Sequence, residues 1–268
     1  MKDVISVLKE NITHLGMIAR IARYEDKANY QSHYLGLLWQ YLNPAIQVGI
    51  YFIIFGLGLQ RHGVNGVPYI LWMLIGVVPW FFMSKTLTGA SKSIFSKLSS
   101  VAKMKFPISI LPTINLASNF VSYFAMMGIV ILTLFGHHVP VTIYWLQYFY
   151  YFICMVALMF SLGILNSTVS VLIRDFHVAL QSIMRILFYM SGVIMNLNNK
   201  NYPPLLRKIF SLNPFNYVIK GFRDTFVYKK WFFDDPIMMI YFWSFVLLVL
   251  IIGCHLHMKF RNRFIDFI

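Results

Sequence analysis

Residues 106–173, FPISILPTINLASNFVSYFAMMGIVILTLFGHHVPVTIYWLQYFYYFICMVALMFSLGILNSTVSVLI, run for 68 positions without a lysine, arginine, aspartate or glutamate. About a quarter of the residues of a soluble domain are charged, and such a domain does not leave a run of this length. Because about 20 apolar residues cross the ~30 Å hydrocarbon core of a bilayer, the run is long enough for two membrane helices. GHHVP at 136–140 supplies the break between them.

Working outward, the same rule finds four more windows. Apolar centres fall at 37–59 and 67–84, then at 178–197, and a last span runs from Pro236 to about Met258. The whole chain agrees, with 268 residues, 59% hydrophobic and 12% charged. The expected fold is an all-α membrane protein with six transmembrane helices in a single domain, 1–268. Cys154 and Cys254 lie in apolar runs and are expected to be small core hydrophobes, since they have neither a metal-site spacing nor a disulfide framework.

Lys and Arg total 23 against 9 Asp and Glu. In a membrane protein this excess reads as topology and anionic surroundings, and no nucleic-acid partner is expected. Ahead of the first span, Val4, Leu8, Ile12, Leu15, Ala19 and Ala22 recur at spacings of three and four, with Lys9, Thr13, Arg20, Arg23 and Lys27 on another face. Residues 1–31 are therefore expected to form a basic amphipathic helix in the cytoplasmic interface plane, with Arg20 and Arg23 facing headgroups; a helix packed on protein is the alternative. The opening lacks the continuous apolar stretch of a secretory signal, so it is expected to be mature chain.

Basic residues also orient the spans. Lys85, Lys92, Lys97, Lys103 and Lys105 share one loop, and Lys259, Arg261 and Arg263 the tail. Placing these inside makes both termini cytoplasmic in a multi-pass cell-membrane protein. Residues 198–235 oppose the pattern, because six spans put their seven Lys and Arg outside. Either a span is miscounted or the segment is folded. LNPFNYVIKGFRD favours folding, with Asn213 as N-cap and Pro214 at the first helical position. Short helices dipping into the outer leaflet over 200–225 are the expectation.

No G-x-x-x-x-G-K-[ST] phosphate loop occurs, so the chain is not expected to hydrolyse ATP itself. All nine acids lie outside the span centres. That weakens both a proton-coupled carrier and a membrane enzyme. Asp234 and Asp235 read as the start of the last helix rather than as a metal site. Arg185 is the one charge inside a span. It either contacts an anionic substrate or snorkels from the inner end of span five. Aromatic side chains make up 18% of the chain, and Tyr51, Phe52 and Tyr189 are candidates for the wall of a glycan path.

SHYLGLLWQYLNP at 32–44 decides where the first span begins. From Pro44 to Leu59 a helix reaches only about 24 Å, whereas from Leu37 it reaches about 34 Å. The span must therefore include LGLLWQY, with Trp39 and Tyr41 at headgroup depth. Pro44 cannot donate to the Gln40 carbonyl, which makes Asn43 and Pro44 the expected hinge.

Taken in order, the basic amphipathic start, YLGLLWQYLNP, a Lys-rich loop ending in MKFPISILP, Arg174-Asp175 after span four and LNPFNYVIKGFRD before span six resemble the ABC-2 type polysaccharide export permeases over essentially the whole chain. MKDVISVLKENITHLGMIARIARYEDKANY, HGVPYILWMLIG and HLHMKFRNRFIDFI are most similar to the teichoic acid exporting members of that family in Gram-positive bacteria. The resemblance implies a homodimer bound to two copies of a separate ATP-binding subunit. The cargo it implies is undecaprenyl-diphosphate-linked wall teichoic acid, a lipid-linked anionic glycopolymer. O-antigen or capsule is the alternative cargo, and an ATPase-independent flippase the alternative class. ATP and Mg would be used by the partner, with no cofactor on this chain. A coupling helix is implied over 91–105, with Ser91, Lys92, Phe95, Lys97, Lys103 and Lys105 facing the ATPase and Arg174 and Asp175 as a second contact. Gly192 stands where many relatives have a proline that kinks span five. A dimer also follows from size, because six helices are too few to enclose a polymer.

Overall fold

The computed structural model describes residues 1–30, 33–51, 53–54, 63–64, 66–101, 106–173, 175–196 and 203–267. The fold is all-α: apart from one bridge between Val64 and Val67, the described residues contain no β-structure. Among them, four helices are long and apolar enough to cross a membrane: Tyr69–Leu98, Ile108–Gly136, Ile143–Leu172 and Pro236–Phe264. These are the expected spans two, three, four and six, built on helices α4 (Tyr69–Val101), α5 (Leu111–Gly136), α6 (Tyr148–Leu172) and α10 (Pro236–Phe260).

The other two expected spans are shorter in their described parts. Span one is a 3₁₀ turn at Gly36–Leu38 leading into α3 (Trp39–Tyr51), and residues 55–62 lie outside the description. Helical geometry therefore begins near Leu37, and Pro44 sits inside α3. Span five is α7 (Phe176–Met190), 15 residues, or about 22 Å. It stops because Gly192 takes a left-handed conformation, φ 69°, a backbone open to glycine at little steric cost. Gly192 replaces the proline, which puts a kink in doubt here, and the helix ends outright. The chain continues without helix until the Tyr69 hydroxyl donates to the Ile194 carbonyl at 2.8 Å. Since the Ser91 hydroxyl meets His177 Nδ1 at 2.7 Å, segment 177–194 runs antiparallel to α4 from Ser91 back to Tyr69.

Helix α4 is the centre of the bundle. Its apolar window is 83% buried against 28% for α10, because α5, α6, α7 and the helix at Pro214–Arg223 all pack on it. The outer helices keep apolar faces open, with Leu247, Leu248, Ile251 and Ile252 exposed on α10 and Phe124, Leu132 and Phe135 on α5. Such faces suit lipid and would be unfavourable in water.

The N-terminal segment is two helices, α1 (Lys2–Thr13) and α2 (Leu15–Tyr30), broken at His14. Their buried stripe is Val7, Asn11, Ile18 and Ala22, which shares only Ala22 with the stripe expected from the sequence. The difference arises because Asn11 is satisfied inside: it donates to the Val7 carbonyl at 2.9 Å and accepts from the Thr113 hydroxyl at 2.6 Å. Ile12 and Leu15 turn outward instead, into an apolar groove with Phe152, Ile153 and Phe160.

At the opposite end of the bundle lie α8 (Pro204–Ser211) and α9 (Pro214–Arg223). As expected, Asn213 caps α9, accepting from the Phe215 N–H at 3.0 Å, and Pro214 opens the helix. Helix α9 buries Phe215, Val218, Ile219 and Phe222. Phe215 reaches Trp80, more than three turns along α4 from Tyr69, so α9 enters the bundle rather than lying on it.

Candidate translocation groove and its supports

One face of α4 is flanked by two cavities. Between α3, α4 and α5, a cavity of about 480 Å³ is lined by Asn43, Pro44, Gln47, Ser84, Lys85 and Asn119 among others. Between α3, α4 and α7, a second of about 510 Å³ is lined by Tyr51, Trp80, Thr88, Gln181, Arg185 and Tyr189 among others. Phe81 and Ser84 belong to both. Each cavity has one basic side chain, Lys85 in the first and Arg185 in the second. Arg185 is exposed and donates to the Ser182 hydroxyl at 3.3 Å.

The structure thus gathers Tyr51, Arg185 and Tyr189 around one cavity, and Asn43 and Pro44 around its neighbour. The carbonyl that Pro44 leaves without its helical partner receives a long 3.5 Å hydrogen bond from the Ser122 hydroxyl of α5. Arg20 and Arg23 are exposed on α2, Tyr41 is exposed and Trp39 half-buried at the start of α3; none of these lines either cavity. Phe52 lies outside the described residues. The sequence reading missed the polar floor made by Gln47, Ser84, Asn119, Ser122 and Gln181. A signal for it exists in α5, where Asn115, Ser118, Asn119 and Ser122 recur at helical spacing in an apolar span.

The residues implied as ATPase contacts divide differently. Ser91–Val101 are the last turns of α4, continuous with span two rather than a separate short helix. Ser91 is buried against His177 and so fastens α4 to α7. Lys97 is paired with Glu25 of α2. Lys92, Phe95 and Asp175 are exposed at this end. Lys103, Lys105 and Arg174 lie outside the described residues.

The tightest polar assembly lies at the other end, around a residue that the sequence reading counted only as one charge of a basic loop. Arg223 is 5% exposed. Its Nε donates to the Trp72 carbonyl at 3.0 Å, Nη1 to Gly192 at 2.7 Å and Nη2 to Val193 at 2.9 Å. The guanidinium carbon stands 3.4 Å from the centre of the Trp72 ring. A planar fork with five donors suits three carbonyls and a ring face at once. Gly76 leaves the space, since a Cβ there would collide with Nη2. The arginine therefore caps the broken end of α7 and ties it to α4 and α9. Its signal in the sequence is its place one helical turn after Ile219, on the apolar arc of α9.

Asp235 caps α10, accepting from the Met238 N–H at 3.4 Å, and Asp234 accepts from the Trp231 N–H at 3.0 Å. Among the described residues no three His, Cys, Asp or Glu side chains converge as a metal site would require.

Residues 18–227 match the ABC-2 type transporter family, and the chain belongs to it. An O-antigen export system permease protein of Myxococcus xanthus is 22% identical over 247 residues, which cover 91% of this chain and 93% of that one. One from Klebsiella pneumoniae is 23% identical over 261 residues, covering 97% and 98%. An inner membrane transport permease of Escherichia coli K12 is 24% identical over 191 residues, covering 69% and 74%. The chain is accordingly the membrane subunit of a transporter, a multi-pass protein of a family that works with a separate ATP-binding subunit.

Proposed function

We propose that this chain is the permease half of an ATP-driven exporter of undecaprenyl-diphosphate-linked wall teichoic acid. The carrying observation is the pair of cavities on either side of α4, each with aromatic walls, hydroxyl or amide groups and one cation. Lys85 lies 16 residues along α4 from Tyr69, about 24 Å, which is near the inner boundary of a ~30 Å core if Tyr69 marks the outer one. That depth suits a diphosphate headgroup in the inner leaflet. Aromatic walls suit the sugar that follows it.

In this reading two copies form the path, two ATP-binding subunits hold ATP and Mg, and both termini are cytoplasmic. Lys92, Phe95 and Asp175, with Lys103, Lys105 and Arg174, form the docking surface for the ATPase, and Asn43 and Pro44 form the hinge that transmits its movement. Export of a lipid-linked O-antigen is the second reading, favoured by three relatives of that name whose matches span more than 90% of this chain.

The test is reconstitution with the co-purified ATP-binding subunit in vesicles, followed by ATP-dependent appearance of lipid-linked polymer at the outer face. Poly(glycerol phosphate) cargo is expected to move and a neutral O-antigen polymer to move poorly. The reverse preference selects the second reading, and movement without ATP or partner overturns both. Lys85→Gln with Arg185→Gln is expected to lower polymer-stimulated ATPase activity about tenfold, the scale of a charge-assisted contact.

A further inference from the structure

A third cavity lies away from the groove, among α9, the start of α6 and the segment entering α10. It holds about 210 Å³ and is lined by Tyr151, Asn216, Tyr217, Lys220, Asp224, Trp231, Phe232, Asp235 and Met238 among others. This is smaller than the ~300–1,000 Å³ of drug-sized sites, and suits one ring rather than two.

Its walls combine two chemistries. Aromatic rings form one, each already supported from behind or beside: Tyr217 stacks on Phe242 at 4.6 Å, Phe232 on Tyr150 at 4.1 Å and Trp231 on Phe233 at 5.5 Å. Asp224 forms the other. It is 8% exposed, and no described residue donates a hydrogen bond to its carboxylate, although Lys220 and Lys230 act on it electrostatically. Buried carboxylates without donors are costly, and this one lines a cavity large enough for a ligand to supply them. Asn216 spends its amide N–H on the Phe210 carbonyl at 3.2 Å, which leaves its oxygen as a second acceptor. Gly221 keeps this geometry, because a Cβ there would strike the Tyr151 ring.

We propose that this cavity binds one neutral, hydroxyl-bearing sugar ring of the glycan as it leaves the permease, the ring packing on Trp231 and Tyr217 and donating hydroxyls to Asp224 and Asn216. A buried carboxylate favours hydroxyl donors and disfavours phosphate, so the site takes sugar units rather than the anionic links between them. The assignment of the ring to the cargo rests on the export reading; the existence of the site does not.

The test uses the permease with its ATP-binding partner in lipid nanodiscs and saturation-transfer NMR with N-acetylglucosamine, glucose and glycerol 3-phosphate as probes. Transfer to the two sugars and none to glycerol 3-phosphate is expected. Trp231→Ala and Asp224→Asn are each expected to lower it at least about fivefold, since a few walls carry most of the contact of a small ligand. Met238→Trp, which fills the cleft from α10, is expected to do the same while leaving Trp231 and Asp224 in place. Absence of transfer in the unmodified complex, or equal transfer in all three variants, overturns the site. Competition by a soluble oligomer of the cargo assigns the ring to the glycan; competition only by a glucosyl lipid placed in the nanodisc overturns that assignment. Sugar binding that depends on these residues in a complex unable to export overturns the export reading alone, whereas intact export with no sugar binding overturns the site alone.

Discussion

Where α1, α2 and the last turns of the chain gather, cations meet carboxylates across helices. Glu10 accepts from Arg261 and from the Ser109 hydroxyl, both at 2.5 Å, Lys97 pairs with Glu25, and His255 lies 2.9 Å from Asp3. At the opposite end, Arg223 is hydrogen-bonded to three backbone carbonyls and stacked on Trp72, with no carboxylate among those partners. The first arrangement is partly wet, so its pairs are weak and exchangeable. The second is dry, so loss of one partner strands several buried polar groups. In the proposed function this end docks the ATPase, and pairs that can be remade suit such a role. The end that holds the short helix α9 in the bundle is served by a fixed arginine.

Arg223→Met is the sharpest way to break this contrast. It strands the carbonyls of Trp72, Gly192 and Val193 and is expected to destabilise by about 3–5 kcal/mol, read as loss of folded yield and of thermal stability in detergent. Arg223→Lys is expected to rescue little, because an ammonium cannot reproduce the fork. Next in size is Gly221→Ala, whose Cβ enters the Tyr151 ring. Overpacking of this kind costs about 1–3 kcal/mol, and the melting temperature is expected to fall while partner binding at the far end persists.

Asp224 provides a test with pH. Burial lifts its carboxyl from 3.8 to about 6 against the pull of Lys220, Lys230 and Arg223. A carboxyl raised on folding weakens the fold as pH climbs from 3.8 to about 6, because the unfolded chain ionises first. Asp224→Asn is therefore expected to stabilise on the order of 2 kcal/mol at pH 7.5 and to do nothing at pH 3.5, as read by thermal unfolding at the two pH values.

The effects at the paired end are smaller. Burial raises the Glu10 carboxyl, but hydrogen bonds from Ser109 and Arg261 and the Arg261 charge outweigh it, so the net shift is downward. Its contribution is present at neutral pH and lost as pH falls through the lowered value. Glu10→Gln is expected to cost about 1 kcal/mol at pH 7, a difference that closes at acid pH. Least of all, Glu25→Lys with Lys97→Glu is expected to stay within about 0.5 kcal/mol of the parent, and loss of ATPase binding in that double variant would show that Lys97 also meets the partner.

Four of the expected spans were legible, two because a 68-residue run without charge has room for two crossings and two because long apolar windows flank it. The cap at Asn213 was legible for a similar reason, as asparagine before proline has a local meaning. Span five was misjudged in length because apolarity continues past Met190 while the helix does not: Gly192 turns the backbone, and Arg223, 31 residues away, donates to its carbonyl. Local pattern holds no record of so distant a donor. A longer separation, 72 residues, hid the pairing of Lys97 with Glu25, which made the lysine look free for the partner. Of the groove, Tyr51, Arg185 and Tyr189 were singled out for their residue types, but their meeting around one cavity depends on how α3 and α7 lean on α4.

By itself the sequence determined that the protein is helical, membrane-embedded and without its own phosphate loop, because hydropathy, charge and motif spacing are properties of contiguous residues. Only the tertiary structure decided which helix is central, which charge is dry and where polar groups face each other across helices. Those depend on burial, and burial is set by neighbours that the chain brings in from far away.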